Sequence, residues 1–180
     1  NMLYVDDEMA SDDGELKILS IGRFSTSKNF DNIPDICSRI CQNGIKIKWF
    51  LIGFGQEEEH IRQKIYESDM EKNVAILGKK SNPYPYIKAC DVYIQPSLYE
   101  GKCVAVREAQ ILGKPVIITR YPTASSQLLD GVDGLIVPLD NEKCAEALTN
   151  ILSDNDKMDM LRENVRSIDY SNTSEIEKIY

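Results

Sequence analysis

Short apolar runs alternate along this chain with segments of helical spacing. The runs are rich in Ile and Val and are bounded by Gly, Pro or charged residues, as buried strands are. Six strands are predicted, at 16–21, 45–52, 74–77, 92–95, 116–119 and 135–137. Helices are predicted at 33–41, 57–66, 84–89, 104–112, 125–129, 142–152, 157–165 and 173–180. The alternation predicts an α/β fold in which helices cover both faces of a parallel six-stranded sheet. The predicted helix N-caps are Asn141 and either Ser171 or Asn172.

Charge is distributed unevenly over the 180 residues, a length that suits one α/β domain. The net charge is −8, of which residues 1–15 carry −6, because they contain six acidic residues and no Lys or Arg. We therefore expect an acidic linker or tail at 1–15 and one domain at 16–180, cut from a larger protein. An acidic chain without a basic stripe argues against nucleic acid as the main partner.

The five cysteines are odd in number and lack CxxC spacing, which favours reduced thiols in the cytoplasm. Cys37 and Cys41 could share a metal only with His60, so we expect no metal site. No run reaches the roughly 18 apolar residues of a membrane span, and residues 1–15 lack the apolar core of a signal peptide. We expect a cytoplasmic protein.

Two cations follow the first predicted strand. Arg23 and Lys28 lie in the turn that begins at Gly22. An isolated Arg and Lys would usually be a solvated surface pair. Here they follow the carboxyl end of a strand, where open α/β sheets bind ligands, and an Arg and a Lys can hold a diphosphate.

A Gly-x-Gly follows the second predicted strand, at Gly53 and Gly55. The third glycine of a dinucleotide fingerprint is replaced by Glu58, and the motif follows the wrong strand. The default meaning of such a motif is a tight turn with positive φ.

Glu100 and Glu108 lie where the loop after the fourth strand becomes a helix. Gly101 permits close approach of a ligand to the backbone, and the N–H groups from about Lys102 to Val104 are predicted to be unpaired donors for a phosphate. Glu108 is about two turns into the helix, so the carboxylates are too far apart for a hydrolase pair. They suit a ligand with a sugar at one end and a ribose at the other, although each Glu alone would more often be a solvated helix charge.

Together these segments resemble the carboxyl-terminal, donor-binding domain of the retaining family-four glycosyltransferases of the GT-B type. The resemblance covers 16–180 and implies a Rossmann-like, doubly wound sheet that is one half of a GT-B fold. Its landmarks are 20–23 with Lys28, 50–55, 91–97, the Glu-x7-Glu pair at 100–108, 112–117 and 130–137.

The resemblance also implies roles for single residues. Arg23 and Lys28 would bind the donor diphosphate and stabilise the leaving group, and Glu100 would contact the hydroxyls of the donor sugar. These three are the implied catalytic residues, while Glu108 would hold the ribose. The loop at 78–81 would meet the base. The other implied donor-binding residues are Gly22, Gly53, Gly55, Lys79, Gly101, Lys102, Cys103 and Val104.

The implied reaction is hexose transfer with retention from a UDP-hexose or a GDP-hexose, with UDP favoured, and without a metal or other cofactor. A glycan or lipid-linked acceptor would bind an amino-terminal domain that this chain lacks, so the chain alone should bind the donor without turnover. The full-length enzyme is expected in the cytoplasm, and peripheral attachment to the inner face of the membrane is left open.

The chain departs from the common family pattern at two places. Lys102 and Cys103 stand where Phe-Gly is frequent, and 125–127 reads Ser-Ser-Gln where an acid is frequent. With Tyr121, Thr123 and Gln127, this variant resembles members used in bacterial capsule and surface polysaccharide synthesis.

Two other classes of function compete. One is a nucleotide-binding or regulatory α/β module without transferase activity. The other is a dinucleotide oxidoreductase domain, which the broken glycine pattern and the missing acid roughly twenty residues after a first-strand glycine loop disfavour.

Overall fold

The computed structural model of the chain describes residues 5–10 and 14–170. Its strands are β1 (Leu16–Ile21), β2 (Ile47–Ile52), β3 (Val74–Gly78), β4 (Val92–Gln95), β5 (Val116–Thr119) and β6 (Leu135–Val137). They form one sheet in the order β3-β2-β1-β4-β5-β6, and every neighbouring pair is parallel. The predicted fold class is confirmed.

Eight helices are described. They are α1 (Asp7–Ala10), α2 (Ile33–Gln42), α3 (Glu58–Glu67), α4 (Tyr84–Ala89), α5 (Val104–Ile111), α6 (Ala124–Gln127), α7 (Asn141–Leu152) and α8 (Asn155–Ser167). Two 3-10 turns, Thr26–Lys28 and Phe30–Asn32, connect β1 to α2. The helix predicted at 173–180 and the caps predicted at Ser171 or Asn172 lie outside the described residues.

The sheet separates two hydrophobic cores. Successive side chains of a strand point to opposite faces, so Ile18 packs in one core and its neighbour Leu19 in the other. Leu148 of α7 covers the first face, and Val106 of α5 covers the second. Full burial of an Ile or Leu side chain contributes roughly 1.5–3 kcal/mol, so these cores hold the strand ends in fixed positions.

Helix α2 is amphipathic and fixes the far end of the β1 loop. Ile33, Ile36, Cys37 and Ile40 are buried at spacings of three and four residues, which places them on one helix face. Pro34 lies in the first turn, where its missing N–H leaves no helical hydrogen bond unmade. The loop that carries Arg23 and Lys28 is therefore anchored at both ends.

The N-cap of α7 is Asp140, so the prediction of Asn141 is wrong. The Asp140 carboxylate accepts a hydrogen bond from the backbone N–H of Lys143 at 3.0 Å, and Asp140 has the extended backbone that an N-cap needs. Asn141 is the first residue of the helix, and its amide donates to Oδ1 of Asn32 at 2.8 Å. Adjacent Asp and Asn residues can both cap, and backbone geometry selects one of them.

Residues 5–10 of the segment predicted as an acidic linker or tail pack against the body. Met9 in α1 is 1% exposed and shares a core with Tyr86 of α4. The Lys80 ammonium donates to the Asp6 carboxylate at 2.8 Å, a hydrogen bond that raises the pKa of Lys80. The boundary of the domain at residue 16 stays a prediction.

Candidate donor site at the carboxyl ends of two central strands

The strand order reverses between β1 and β4. In open α/β sheets the crevice outside the carboxyl ends of two such strands is the usual ligand site, because their loops turn away in opposite directions. The loop after β1 carries Lys28, and the loop after β4 carries Glu100. The two loops predicted to bind a ligand therefore flank this crevice.

Hydrogen bonds join these two loops. Asn29, which adopts a left-handed backbone conformation with φ of 60°, is 1% exposed and donates through its amide to the Pro96 carbonyl at 3.1 Å. The Ser27 carbonyl accepts from the backbone N–H of Leu98 at 2.9 Å. The left-handed backbone of Asn29 helps to set the direction of the chain at Lys28. Asn adopts this conformation more readily than most residues.

Glu100 is buried and holds two partners on one carboxylate oxygen. Its Oε1 atom accepts from the Lys28 ammonium and, at 2.7 Å, from the Ser97 hydroxyl. Glu100 is 8% exposed and the Lys28 side chain 18% exposed. A charged carboxylate at this depth needs a counter-charge and hydrogen bonds, and the structure supplies both.

A chain of buried hydrogen bonds lies beneath Glu100. The Tyr93 hydroxyl donates to Oε1 of Gln95 at 2.6 Å, and the Gln95 amide donates to the Ser97 hydroxyl at 2.9 Å. Burial raises the pKa of Tyr93 well above its ordinary value, so its hydroxyl stays protonated and donates. With both Gln95 groups engaged, the Ser97 hydroxyl is directed towards Glu100.

The start of α5 differs from the prediction at one position. The backbone N–H of Cys103 is not free, since it donates to Oε1 of Gln127 at 2.7 Å, and the Gln127 amide donates back to the Cys103 carbonyl at 3.3 Å. Lys102 and Val104 on either side are exposed, and a Cβ on Gly101 would meet nothing within 4 Å. The open part of the loop is therefore Gly101 and Lys102, and Cys103 faces inwards.

The Cys103 side chain is a buried neutral group. It is 6% exposed, and burial followed by the nearby Glu100 carboxylate raises the pKa of its thiol. Thr123 closes the other side of the loop, where its hydroxyl donates to the Glu100 carbonyl at 2.6 Å. Thr123 and Gln127, which mark the sequence variant, thus both hold the loop that carries Glu100.

Glu108 is half-buried on α5 and has a partner that the sequence did not indicate. The Tyr84 hydroxyl, at the start of α4, donates to Oε1 of Glu108 at 3.0 Å. This hydrogen bond raises the pKa of Tyr84. The two residues are 24 positions apart on different helices, and no local pattern relates them.

The glycines after β2 are required by loop packing. A Cβ on Gly53 would lie 1.8 Å from the Gly22 carbonyl oxygen, and one on Gly55 would lie 2.2 Å from that of Phe24. The Phe24 N–H donates to the Phe54 carbonyl at 2.9 Å, which holds the two loops together. Gly53 has φ of +154°, in agreement with the tight-turn interpretation. A direct contact of either glycine with a ligand stays a prediction.

Arg23 lies at the adjacent side of the β1 loop. It is exposed and lines a cavity of about 770 Å³ with Phe54, Gln56 and Glu58, and this cavity includes no residue of α5. The Lys79 ammonium lies 5.0 Å from the centre of the Phe54 ring, a cation–π contact. The structure therefore brings Lys28 to Glu100, whereas convergence of Arg23 with the start of α5 stays a prediction.

Gly22 supports Lys28 directly. A Cβ at Gly22 would lie 3.3 Å from the Cδ and Cε atoms of Lys28, so the Lys28 stem runs along the Gly22 backbone. A side chain at residue 22 would press on that stem.

The charged groups of the crevice suit binding more than hydrolysis. Glu100 is engaged by a cation and a hydroxyl. Glu108 lies four residues beyond Val104, the first residue of α5, so it is about one turn, or 6 Å, into the helix and not the two turns predicted. Among residues 5–10 and 14–170, no group of three or more His, Cys, Asp or Glu side chains could hold a metal ion. None of the helices in these ranges combines the length and the apolar composition of a membrane-spanning helix.

A family model described as "Glycosyl transferases group 1" matches residues 6–168. The chain is 27% identical over 147 residues to the lipopolysaccharide core biosynthesis glycosyltransferase LpsE of Rhizobium meliloti (strain 1021), which covers 81% of the chain and 42% of LpsE. It is 29% identical over 145 residues to the amylovoran biosynthesis glycosyltransferase AmsK of Erwinia amylovora, which covers 76% of the chain and 35% of AmsK. The chain thus spans less than half the length of these relatives.

The fold matches solved structures, among them the C-terminal domain of a glycosyl transferase group 1 family protein (LpcC) from Francisella tularensis, with a TM-score of 0.73 at 20% identity, over 92% of the chain and 87% of that chain. The crystal structure of Anabaena Alr3699/HepE in complex with UDP-glucose superposes with a TM-score of 0.79 at 21% identity, over 92% of the chain and 48% of that protein. At this identity the likeness shows the fold alone. It agrees with the Rossmann-like sheet of a GT-B domain.

Proposed function

The chain belongs to the group 1 glycosyl transferases, a GT-B family with relatives in bacterial polysaccharide biosynthesis, and we propose that it binds the nucleotide-diphospho-sugar donor of a retaining hexosyltransferase. The observation that carries the proposal is the contact between Lys28 and Glu100 at the point where the strand order reverses. A cation for a diphosphate and a carboxylate for sugar hydroxyls lie side by side there.

The donor would extend along α5. Its diphosphate would lie against Lys28 and the exposed backbone of Gly101, where the positive end of the helix dipole favours anions. The hexose would reach Glu100, and the ribose would reach Glu108. The base would lie against the loop that follows β3, which includes Lys79.

The proposed chemistry transfers the hexose from the diphosphate to an acceptor hydroxyl. The bond between the anomeric carbon and the diphosphate oxygen breaks, the acceptor oxygen bonds to that carbon on the same face, and the acceptor proton passes to the leaving phosphate. Lys28 and the start of α5 would stabilise the negative charge that develops on this phosphate, which is the main contribution asked of the protein. The proposal requires no metal ion.

The donor is proposed to be a UDP-hexose. The structurally similar Anabaena protein was solved with UDP-glucose, and UDP fits the sequence-based preference. The acceptor, proposed to be a glycan or a lipid-linked sugar, would bind another part of the full-length protein. Leu98, Tyr99 and Val104 at the rim of the crevice are 40%, 67% and 68% exposed and could be covered by that part.

A thermal-shift panel tests the proposal. The 180-residue chain is melted with UDP, UDP-glucose, GDP, GDP-mannose or NAD, and a nucleoside diphosphate or its sugar should raise the Tm through linkage, whereas NAD should not. Lys28→Glu should abolish the shift. Lys143→Glu, an exposed charge reversal on α7, should leave it intact. Absence of a shift with all four uridine and guanosine ligands, or an equal shift with NAD, would contradict the proposal.

The test of the retaining stereochemistry requires the full-length protein, because it needs a reaction product. The anomeric configuration of its product, read by NMR coupling constants, should match that of the donor sugar. An inverted product would refute the retaining mechanism while leaving donor binding in place.

A further inference from the structure

We propose that Tyr84 is a positioning residue of the donor site, which orients the Glu108 carboxylate for the ribose of the nucleotide. The inference rests on the proposed function. It adds a residue that neither the Glu-x7-Glu motif nor the loop pattern indicates. Tyr84 would act through Glu108.

The position of Tyr84 connects two parts of the proposed nucleotide site. Tyr84 is the first residue of α4 and follows the loop assigned to the base, while Glu108 lies on α5 one turn beyond Val104. The hydrogen bond of 3.0 Å between the Tyr84 hydroxyl and Oε1 of Glu108 therefore ties the base loop to the ribose carboxylate. A nucleoside that bridges these elements would pass directly beside this bond.

The chemistry of the contact suits an orienting role. Glu has three side-chain torsions, and a half-buried Glu without a partner would rotate among several rotamers at the crevice wall. A phenol that donates to one carboxylate oxygen forms a charge-assisted bond and leaves the other oxygen to face a ribose diol. The carboxylate raises the pKa of Tyr84, so the phenol remains a donor at neutral pH.

Burial in the core does not explain the position of the Tyr84 side chain. The side chain is 46% exposed, so its hydroxyl is placed by the contact with Glu108 more than by a need to fill the core. Loss of the hydroxyl should therefore leave the fold intact. Tyr66 on α3, which is 73% exposed, provides a matched control position.

A double-mutant cycle with UDP tests the inference. Calorimetric titration of the 180-residue chain should show that Tyr84→Phe weakens UDP binding roughly three- to tenfold, the range of a lost hydrogen bond. Glu108→Ala should weaken it at least as much, and Tyr84→Phe in the Glu108→Ala background should cause no further loss. With 2′,3′-dideoxy-UDP, which lacks the diol, wild type and Tyr84→Phe should bind equally. Tyr66→Phe should match wild type with both ligands.

Two results would overturn this inference and leave the proposed function in place. One is UDP binding by Tyr84→Phe at the wild-type affinity, and the other is a loss that persists in the Glu108→Ala background or with the dideoxy nucleotide. Failure of the wild-type protein to bind both UDP and GDP is a different outcome, since it would overturn the proposed function and this inference with it.

Discussion

The Lys28 ammonium donates to the Oε1 atom of Glu100, and this contact joins the loop after β1 to the loop after β4 across 72 residues of sequence. It lies in the crevice at the point where the strand order reverses. Because Glu100 is almost fully buried and Lys28 is partly buried, water cannot replace either partner fully.

Removal of one partner should therefore destabilise the fold. We expect Lys28→Met to lower the free energy of unfolding by about 1–3 kcal/mol, because it leaves a buried carboxylate without its counter-charge. The double variant Lys28→Met/Glu100→Gln should recover part of that loss. Urea unfolding measures both.

The Arg39 and Asp35 pair on α2 is the matched control. Its side chains are 42% and 47% exposed, so Arg39→Met should cost no more than about 0.5 kcal/mol. If Lys28→Met and Arg39→Met lowered the free energy of unfolding equally, the buried pair would contribute no more to stability than an exposed pair.

The Ser97 hydroxyl should contribute to the binding of the hexose and not to the binding of the nucleotide. Its hydroxyl donates to Glu100, which is proposed to contact only the sugar. Ser97→Ala should weaken binding of UDP-hexose roughly three- to tenfold and leave the affinity for UDP unchanged, as measured by calorimetry. Ser153→Ala at the end of α7 should change neither affinity. A parallel loss with UDP and UDP-hexose would refute the selective role.

Gln127 should stabilise the loop before α5. Gln127→Ala removes partners from both the N–H and the carbonyl of Cys103, so we expect a loss of about 1–3 kcal/mol in the free energy of unfolding. Gln127→Glu retains an acceptor for the N–H and loses the donor for the carbonyl, and its stability should be intermediate. Ser126→Ala, an exposed neighbour, should stay within about 0.5 kcal/mol of wild type. Gln127→Ala with wild-type stability would contradict this account.

Cys41 should be the most reactive of the five thiols. A hydrogen bond from the buried Cys37 thiol lowers the pKa of Cys41 to about 7, and the same contact together with burial raises the pKa of Cys37. The rate of Cys41 alkylation by iodoacetamide should therefore rise with pH through about 7 and then level off, since only the thiolate reacts.

Mass spectrometry after timed alkylation checks this prediction. Cys144, whose pKa burial raises to about 12, should react slowly in the folded protein. Cys37→Ala removes the hydrogen-bond donor and should move the Cys41 profile towards pH 9. A midpoint near 9 in the wild-type protein would show that the Cys37 contact does not stabilise the thiolate.

The elements of the fold were predictable because the strands are short and buried on both sides. The bounds predicted for the strands at 16–21, 92–95, 116–119 and 135–137 are confirmed. The second strand begins at Ile47, two residues later than predicted, and the short helix predicted at 125–129 is Ala124–Gln127. The first and last residues of helices and strands are set by individual hydrogen bonds, such as the one that Asp140 accepts. The spacing of apolar residues does not predict these bonds.

The contacts of the candidate site were predictable only where residues closely follow a strand. Lys28 and Glu100 could be assigned to one crevice because position after a strand is visible in sequence, and their roles towards a ligand stay predictions. The Gln127 contact with Cys103 and the Tyr84 contact with Glu108 each cross 24 residues and depend on how helices pack on the sheet. The sequence marked Gln127 as unusual without revealing its partner, and it gave no sign of the contact between Tyr84 and Glu108.

The location of a bound diphosphate tests the central claim most directly. A crystal structure of the 180-residue chain with UDP should show the diphosphate within hydrogen-bond distance of the Lys28 ammonium and the backbone at Gly101 and Lys102, with the ribose at Glu108. A diphosphate bound elsewhere, for example in the polar groove of about 320 Å³ between Arg39 and Glu142, would contradict the account.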